Sequence, residues 1–139
     1  MRSFMTRFVF VLPLLAAIAG CSGTINDIPT TPDPVIVTET FSGSLNINGA
    51  ATHFVFLGAT GTVTATLTSL GENAPSKIGF SMGTLAGTTC TTVLFNDAAV
   101  VTSILSGSVT TLAGSLCVRV YDVGALTETI PYTLTVSHP

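Results

Sequence analysis

The feature that most limits the fold of this 139-residue chain is a two-residue alternation that dominates the sequence after residue 40. Apolar side chains alternate there with serine and threonine, and the 3.6-residue period of an amphipathic helix is almost absent. In residues 61–70, Val63, Ala65 and Leu67 fall on one side and threonines on the other, which is the pattern of a strand with one solvated face. The alternation therefore predicts β-strands.

Strands are expected along most of the chain beyond residue 40. They are predicted near residues 41–47, 52–57, 61–70, 78–82, 91–95, 116–123 and 130–137, with a weaker one within 98–112. Asn48-Gly49 is a turn pair of the kind that closes hairpins, loops are expected at residues 71–76 and 83–89, and Asn96-Asp97 is expected to end the fifth strand. In the second strand both faces are apolar, so both are expected to be covered.

No helix of crossover length separates any two of these strands, so a parallel sheet is excluded. Seven or eight short strands with regularly spaced loops predict an all-β fold, an antiparallel β-sandwich, for residues 40–139.

Composition excludes two classes of protein. Only 8% of residues are charged, against about 25% in an average globular chain. Lysine and arginine number four, and two of them precede residue 10, so a nucleic-acid-binding surface is excluded. The hydrophobic content of 47% excludes intrinsic disorder.

The N-terminus has the features of an export signal. Residues 1–7 hold two cations and no acid, and residues 8–19 are an apolar run too short to span a bilayer, which takes about 20 residues. Residues 18–21, Ile-Ala-Gly-Cys, resemble the lipobox of bacterial lipoproteins. The resemblance implies that residues 1–20 are a signal peptide, that cleavage follows Gly20, and that Cys21 carries a diacylglyceryl group and an N-linked acyl chain.

An acylated Cys21 would hold the protein on a membrane, because several acyl chains anchor far more firmly than one. The residue after it is Ser22 and not aspartate, which by analogy with enteric bacteria favours the outer membrane. The alternative is ordinary secretion or a periplasmic location, because residues 17–19 also form an A-x-A cleavage site.

Residues 21–39 are predicted to be a flexible linker rich in proline, which would extend at about 3.1 Å per residue. Asp27, Asp33 and Glu39 lie in this segment, but their spacing matches no calcium-binding loop, so no metal site is predicted.

Two cysteines remain once Cys21 is assigned to lipid. Cys90 and Cys117 are an even number in an exported chain and are predicted to form a disulfide, since two cysteines without a nearby histidine pair cannot complete a zinc site. Cys117 shares a strand face with Arg119 and Tyr121, so the bridge is expected toward the outside of the sandwich or near an edge.

Several segments resemble bacterial pre-peptidase C-terminal (PPC) domains, which are jelly-roll-like β-sandwiches appended to secreted enzymes. They are residues 41–45 (FSGSL), 52–56 (THFVF), 117–122 (CVRVYD) and 132–136 (YTLTV). The resemblance covers about residues 40–137 and implies an accessory role. No enzyme is attached here and no counterpart of that family's calcium ligands is clear, so those activities are not carried over.

No catalytic residues and no cofactor are predicted. His53 is expected at a surface or strand edge, and His138, next to the last residue, is expected to be frayed. No G-x-S-x-G nucleophile turn or phosphate-binding loop is present in the sequence. The acids of the domain are expected in solvated positions, with Asp122 capping the turn after its strand: Glu72, Asp97, Asp122 and Glu128.

The sequence therefore predicts a non-enzymatic, lipid-anchored cell-envelope protein that displays a β-sandwich for binding or scaffolding. Its partner could be an envelope protein or a polysaccharide. The alternative is a carbohydrate- or protein-binding accessory module of a secreted hydrolase system. A sugar platform is disfavoured because tryptophan is absent and the only tyrosines are Tyr121 and Tyr132.

Overall fold

A computed structural model describes residues 32–111 and 114–139 of the chain. Cys21, Asp27, the predicted signal peptide and most of the predicted linker lie outside the described residues. The strands are β1 Val37–Leu45, β2 Ala50–Phe56, β3 Gly61–Leu70, β4 Ile78–Ala86, β5 Thr89–Ala99, β6 Ile104–Val109, β7 Ser115–Tyr121 and β8 Ile130–His138.

The eight strands form two four-stranded antiparallel sheets packed as a sandwich. The strand orders are β1-β8-β3-β6 and β2-β7-β4-β5. Consecutive strands from β1 to β4 alternate between the sheets, and this strand order is that of a jelly roll, an eight-stranded sandwich built from two Greek keys. The predicted antiparallel β-sandwich is confirmed. No helix long and apolar enough to cross a bilayer occurs in the described part of the chain.

Alternation along each strand fills the space between the sheets. Val63, Ala65 and Leu67 of β3 are fully buried, and the threonines between them face outward. The other sheet contributes Val118 and Val120 of β7 to the same core. The two-residue period thus separates core from solvent by placing successive side chains on opposite faces.

The β4–β5 hairpin is longer than predicted. Residues 83–89 were expected to form a loop, but β4 continues to Ala86 and only two residues separate it from β5. Gly87 has a φ of 63°, a left-handed conformation suited to glycine at this turn. Likewise, Asn96-Asp97 does not end β5, which pairs with β4 as far as Ala99. Bulges in this ladder accommodate the weak strand formers while most backbone hydrogen bonds are kept.

Two further expectations need correction. The outer side of β2 is open to solvent, not covered, because Phe54 and Phe56 are 44% and 71% exposed. The paired region also begins before residue 40, since β1 starts at Val37 and aligns it with His138 of β8. Pairing with the last strand thus recruits the end of the predicted linker into the sheet.

Candidate functional site

The two outer faces of the sandwich differ sharply in chemistry. The outward side of β1-β8-β3-β6, called here the hydroxyl face, is almost entirely serine and threonine, with Ile104 and Pro131 as exceptions. Cross-strand pairs such as Ser42 with Thr133 bond their hydroxyls to each other, at 3.1 Å between oxygens. Its hydroxyl residues are Thr38, Thr40, Ser42, Ser44, Thr62, Thr64, Thr66, Thr68, Ser69, Ser106, Ser108, Thr133, Thr135 and Ser137.

The outward side of β2-β7-β4-β5, called here the aromatic face, carries exposed rings. Phe54, Phe56 and Phe95 are 44%, 71% and 66% exposed. The other residues of this face are Ala50, Thr52, Gly79, Ser81, Gly83, Leu85, Cys90, Thr92, Asp97, Ser115, Cys117, Arg119 and Tyr121. Exposed aromatic residues together with arginine are enriched in protein-binding surfaces, whereas the serine and threonine side chains of the hydroxyl face form hydrogen bonds with water.

A shallow cleft of about 490 Å³ lies on the aromatic face. Strand register aligns four residues in one row across the sheet, Thr52, Arg119, Ser81 and Phe95. Arg119 is half-buried, and Ser81 beside it is buried. We call this recess the Arg119 cleft. It is lined by Asn48, Gly49, Ala50, Ser81, Thr92, Phe95, Asp97, Arg119, Tyr121 and Asp122.

One wall of the cleft is the ring of Tyr121, which packs directly on Gly79. A Cβ on that glycine would lie 2.1 Å from a ring carbon of Tyr121, so only glycine leaves room for the ring. The Tyr121 hydroxyl donates a hydrogen bond to the Asp97 carboxylate. Burial, reinforced by this hydrogen bond, raises the pKa of Tyr121 to about 12. The hydroxyl therefore stays protonated at neutral pH and remains a hydrogen-bond donor to Asp97 of β5.

Asp122, at the end of β7, fastens two loops. One carboxylate oxygen accepts from the Asn48 amide at 2.8 Å, and the other accepts from the amides of Gly124, Ala125 and Leu126 at 2.9 to 3.1 Å. These hydrogen bonds, that from Asn48 first, lower the pKa of Asp122. The predicted cap of the turn after β7 is confirmed. The hydrogen bond from Asn48 in the β1–β2 turn was not predicted.

The predicted disulfide between Cys90 and Cys117 is present, with Cα atoms 5.8 Å apart. It links β5 to β7 across β4 on the outer side, as expected from the shared face of Cys117 and Arg119. At Gly83 of β4, a Cβ would lie 2.0 Å from the backbone oxygen of Thr91. The close approach of β5 to β4 at this glycine brings the two cysteines within bonding reach.

His53 lies on the edge strand β2, as expected, but its side chain points between the sheets and not to the surface. Its Nε2 is 2.7 Å from the Tyr132 hydroxyl, and its ring stacks on Phe41 at 4.8 Å between centroids. Burial lowers the pKa of His53 and raises that of Tyr132. The group therefore consists of a neutral imidazole and a neutral phenol packed at the side of the core.

His138 is not frayed, which corrects the expectation for the chain end. It is 4% exposed, and its Nε2 is 3.0 Å from Glu39 of β1. β1 and β8 lie side by side along their whole length, so their ends are held in register. Glu39 is thus a partner of His138 within the sheet.

Metal ligands do not gather in the described residues. No group of three histidine, cysteine, aspartate or glutamate side chains comes together within residues 32–111 and 114–139. Of the two tyrosines considered for a sugar platform, Tyr132 is buried, and Tyr121 is tied to Asp97.

Sequence reasoning missed the Arg119 cleft. Arg119 and Phe95 were placed in separate predicted strands, near residues 116–123 and 91–95, and their alignment depends on which strands are adjacent. The available signal was the exceptional place of Arg119, the sole cation within a predicted strand.

No protein-family model matches the chain, and no relative is found among curated proteins. Several solved structures have a similar fold, and two of them are the following. The Yersinia pseudotuberculosis-derived mitogen is 17% identical with a TM-score of 0.58, and the alignment covers 76% of this chain and 88% of that chain. PliG of Aeromonas hydrophila, a periplasmic inhibitor of g-type lysozyme, is 19% identical with a TM-score of 0.50, covering 72% and 84%. These likenesses establish a shared fold, and the resemblance to PPC domains remains a prediction.

Proposed function

We propose that this chain is a lipid-anchored cell-envelope protein that binds another protein through its aromatic face and catalyses no reaction. The observation that carries the proposal is the unequal chemistry of the two outer faces. One is a neutral hydroxyl surface, and the other exposes Phe54, Phe56 and Phe95 on the same face as the half-buried Arg119.

Aromatic and arginine side chains supply most of the binding energy in protein interfaces, often from the centre of a patch. Three exposed phenylalanine rings do not stabilise a sheet face that stays in water, because the hydration of each apolar ring is unfavourable and no packing contacts offset it. The aromatic face therefore has the composition of an interface that awaits a partner.

An extracytoplasmic location is supported by the Cys90–Cys117 bridge, since structural disulfides persist in oxidising compartments. The lipobox resemblance of residues 18–21 supports anchoring through Cys21, with the outer membrane as the expected site. A Cys21→Ala variant is expected to leave the membrane fraction or to remain unprocessed, as measured by fractionation and intact mass. The matched control is Cys90→Ala, which removes a cysteine of the domain and is expected to stay membrane-bound. Unchanged fractionation and mass of Cys21→Ala would contradict the anchor.

Partner binding can be tested by photocross-linking in cells that express the full chain. A benzoylphenylalanine at Thr52, on the aromatic face, is expected to give a discrete cross-linked protein adduct. The same group at Thr62, an exposed threonine of the hydroxyl face, is the matched control and is expected to give none. Equal labelling from both positions, or none from either, would contradict the proposed binding face.

A second candidate function is inhibition of a cell-wall-degrading glycosidase. PliG, a structural neighbour, is a lysozyme inhibitor, and glycosidases carry a pair of carboxylates in an open cleft that an arginine could approach. Lysis of a peptidoglycan suspension by g-type lysozyme should then slow in proportion to added protein. Unchanged lysis at a large molar excess would remove this candidate and leave the broader binding proposal intact.

A further inference from the structure

We propose that the Arg119 cleft receives the carboxylate of an acidic side chain set among apolar residues of the partner protein. This inference rests on the proposed binding function and specifies the chemistry that the aromatic face recognises.

Arg119 has no carboxylate partner in the part of the chain that the structure describes. The single contact found there between a basic and an acidic side chain joins His138 and Glu39. The cross-strand neighbours of Arg119 are the uncharged Thr52 and Ser81. A half-buried guanidinium therefore has donors available toward the open side of the cleft.

The two acids that line the same cleft are already engaged. Asp97 accepts the hydrogen bond of the Tyr121 hydroxyl, which burial keeps protonated. Asp122 accepts from four backbone amides, those of Asn48 and of residues 124–126. Both carboxylates therefore have hydrogen-bond donors other than Arg119. Within the described residues, the Arg119 guanidinium forms no salt bridge with either of them.

The planar guanidinium can donate two parallel hydrogen bonds to one carboxylate, a geometry that combines strength with direction. Phe95 lies in the same row, and Phe54 lies one row away on β2. Apolar contacts with these rings would exclude water from the ion pair and strengthen it. The arrangement favours a single acid flanked by apolar side chains.

A polyanionic partner fits less well. The chain has a net charge of −3, and the cleft contains Asp97 and Asp122 beside its one arginine. A phosphate-rich surface would be repelled by these acids, and one cation would neutralise little of it. One carboxylate on an otherwise apolar segment matches both the single positive charge and the rings.

The test uses the full chain as bait for a random twelve-residue peptide library displayed on phage. The recovered peptides are expected to share an aspartate or glutamate beside apolar residues. The dissociation constant of a selected peptide, measured by fluorescence anisotropy, should rise at least tenfold with Arg119→Gln. It should rise equally when the acid of the peptide becomes its amide, and Arg119→Lys should be intermediate because lysine keeps the charge but not the paired donors.

Lys77→Gln is the matched control, since Lys77 is an exposed cation outside the cleft, and its affinity should equal that of the wild type. Melting curves of Arg119→Gln and Arg119→Lys check that the fold is kept. Recovery of no peptides, peptides without an acid, or equal affinity for wild type and Arg119→Gln would overturn the inference.

The two proposals can fail separately. If a partner protein cross-links to benzoylphenylalanine at Thr52 and its binding is unaffected by Arg119→Gln, the proposed binding face is supported. The proposal that the Arg119 cleft binds a carboxylate is then refuted. Acid-dependent peptide binding without a cross-linked partner would sustain the cleft chemistry and refute the proposed cellular role.

Discussion

Asp122 shows how one exposed carboxylate can organise the end of a sandwich. Its two oxygens hold the β1–β2 turn and the β7–β8 loop at the same time. Asn48, whose backbone amide donates a hydrogen bond to Asp122, has a φ of 54°, a conformation that asparagine tolerates better than most residues. The Asp122 side chain therefore supplies four of the hydrogen bonds that fix the rim of the Arg119 cleft, beside one from Thr129 to Asn46 and one from the Asp122 amide to Gly49.

Asp122→Asn is expected to lower the melting temperature at pH 7, because the amide group offers one acceptor where the carboxylate offered two. The depressed pKa of Asp122 stabilises the fold above its ordinary value of 3.8, and this contribution is lost as pH falls through the folded-state pKa. Thermal melts from pH 7 to pH 2.5 should therefore show the wild type and variant converging in acid. A constant difference across that range would contradict the role of the charge.

His53 is expected to oppose folding in mildly acidic solution. Its pKa in the folded state lies below the ordinary 6.5, so the unfolded chain binds the proton more readily. Stability should fall as pH drops below 6.5 and should level off once pH passes the folded-state pKa.

The measurement is a proton NMR titration of the imidazole resonances together with thermal melts at each pH. His53 is expected to titrate below 6.5, and His53→Gln should remove its part of the pH dependence while retaining polarity. A midpoint of His53 at or above 6.5 would show that burial does not control it.

At the scale of elements, β4 and β5 are shaped by glycine. Gly83→Ala should be strongly destabilising, because the new Cβ would lie 2.0 Å from a backbone oxygen of Thr91, which cannot rotate away. The expected loss of unfolding free energy is about 2 kcal/mol or more, as for overpacked interiors.

Gly107→Ala is the matched control within a strand. Its Cβ would lie 3.3 Å from a terminal carbon of Leu94, which can move, so the change should stay below about 1 kcal/mol. Urea denaturation measures both variants. Similar losses would mean that the approach of β5 to Gly83 is less restrictive than the distance implies.

A strand could be predicted from the sequence to the extent that one of its faces is apolar and the other polar. β3 was assigned fully, since Val63 and Leu67 alternate with threonine and only one arrangement buries the apolar side. In β2 both faces are apolar, and alternation cannot tell that Val55 faces the core while Phe54 faces solvent. β4 and β5 contain small residues around Gly83 that favour turns locally, and only the backbone pairing with neighbouring strands keeps them extended.

The Arg119 cleft was beyond local sequence patterns for a related reason. Thr52, Arg119, Ser81 and Phe95 come from four strands, and their row exists only once sheet order and register are fixed. By contrast, the Cys90–Cys117 bridge followed from counting cysteines, and the cap by Asp122 followed from its place at a strand end. The bridge and the cap each need one residue or one pair and were predictable, whereas the row across the sheet and the buried positions of His53 and His138 depend on strand pairing and sheet packing and were not.

At the scale of the whole molecule, the disulfide restrains the edge strand β5 against the centre of its sheet. The cysteines are 27 residues apart, and the loop-entropy relation gives about 3.6 kcal/mol as an upper value for the stabilisation. Cys90→Ala/Cys117→Ala should lose up to this amount of unfolding free energy in urea titrations. Reducing agent should weaken the wild type similarly and leave the double variant unchanged. Equal stability of wild type and double variant would contradict a structural role for the bridge.

The position of β1 has a mechanical consequence. It is an edge strand with β8 as its one neighbour in the sheet, and it is the first strand within the described residues 32–111 and 114–139. Tension entering the sandwich from the N-terminal side must pass through β1 before any other strand, and it meets the resistance of one ladder of hydrogen bonds. Under load we expect β1 to peel from β8 first. The aromatic face belongs to the opposite sheet, and we expect it to keep its strand pairing after β1 has separated.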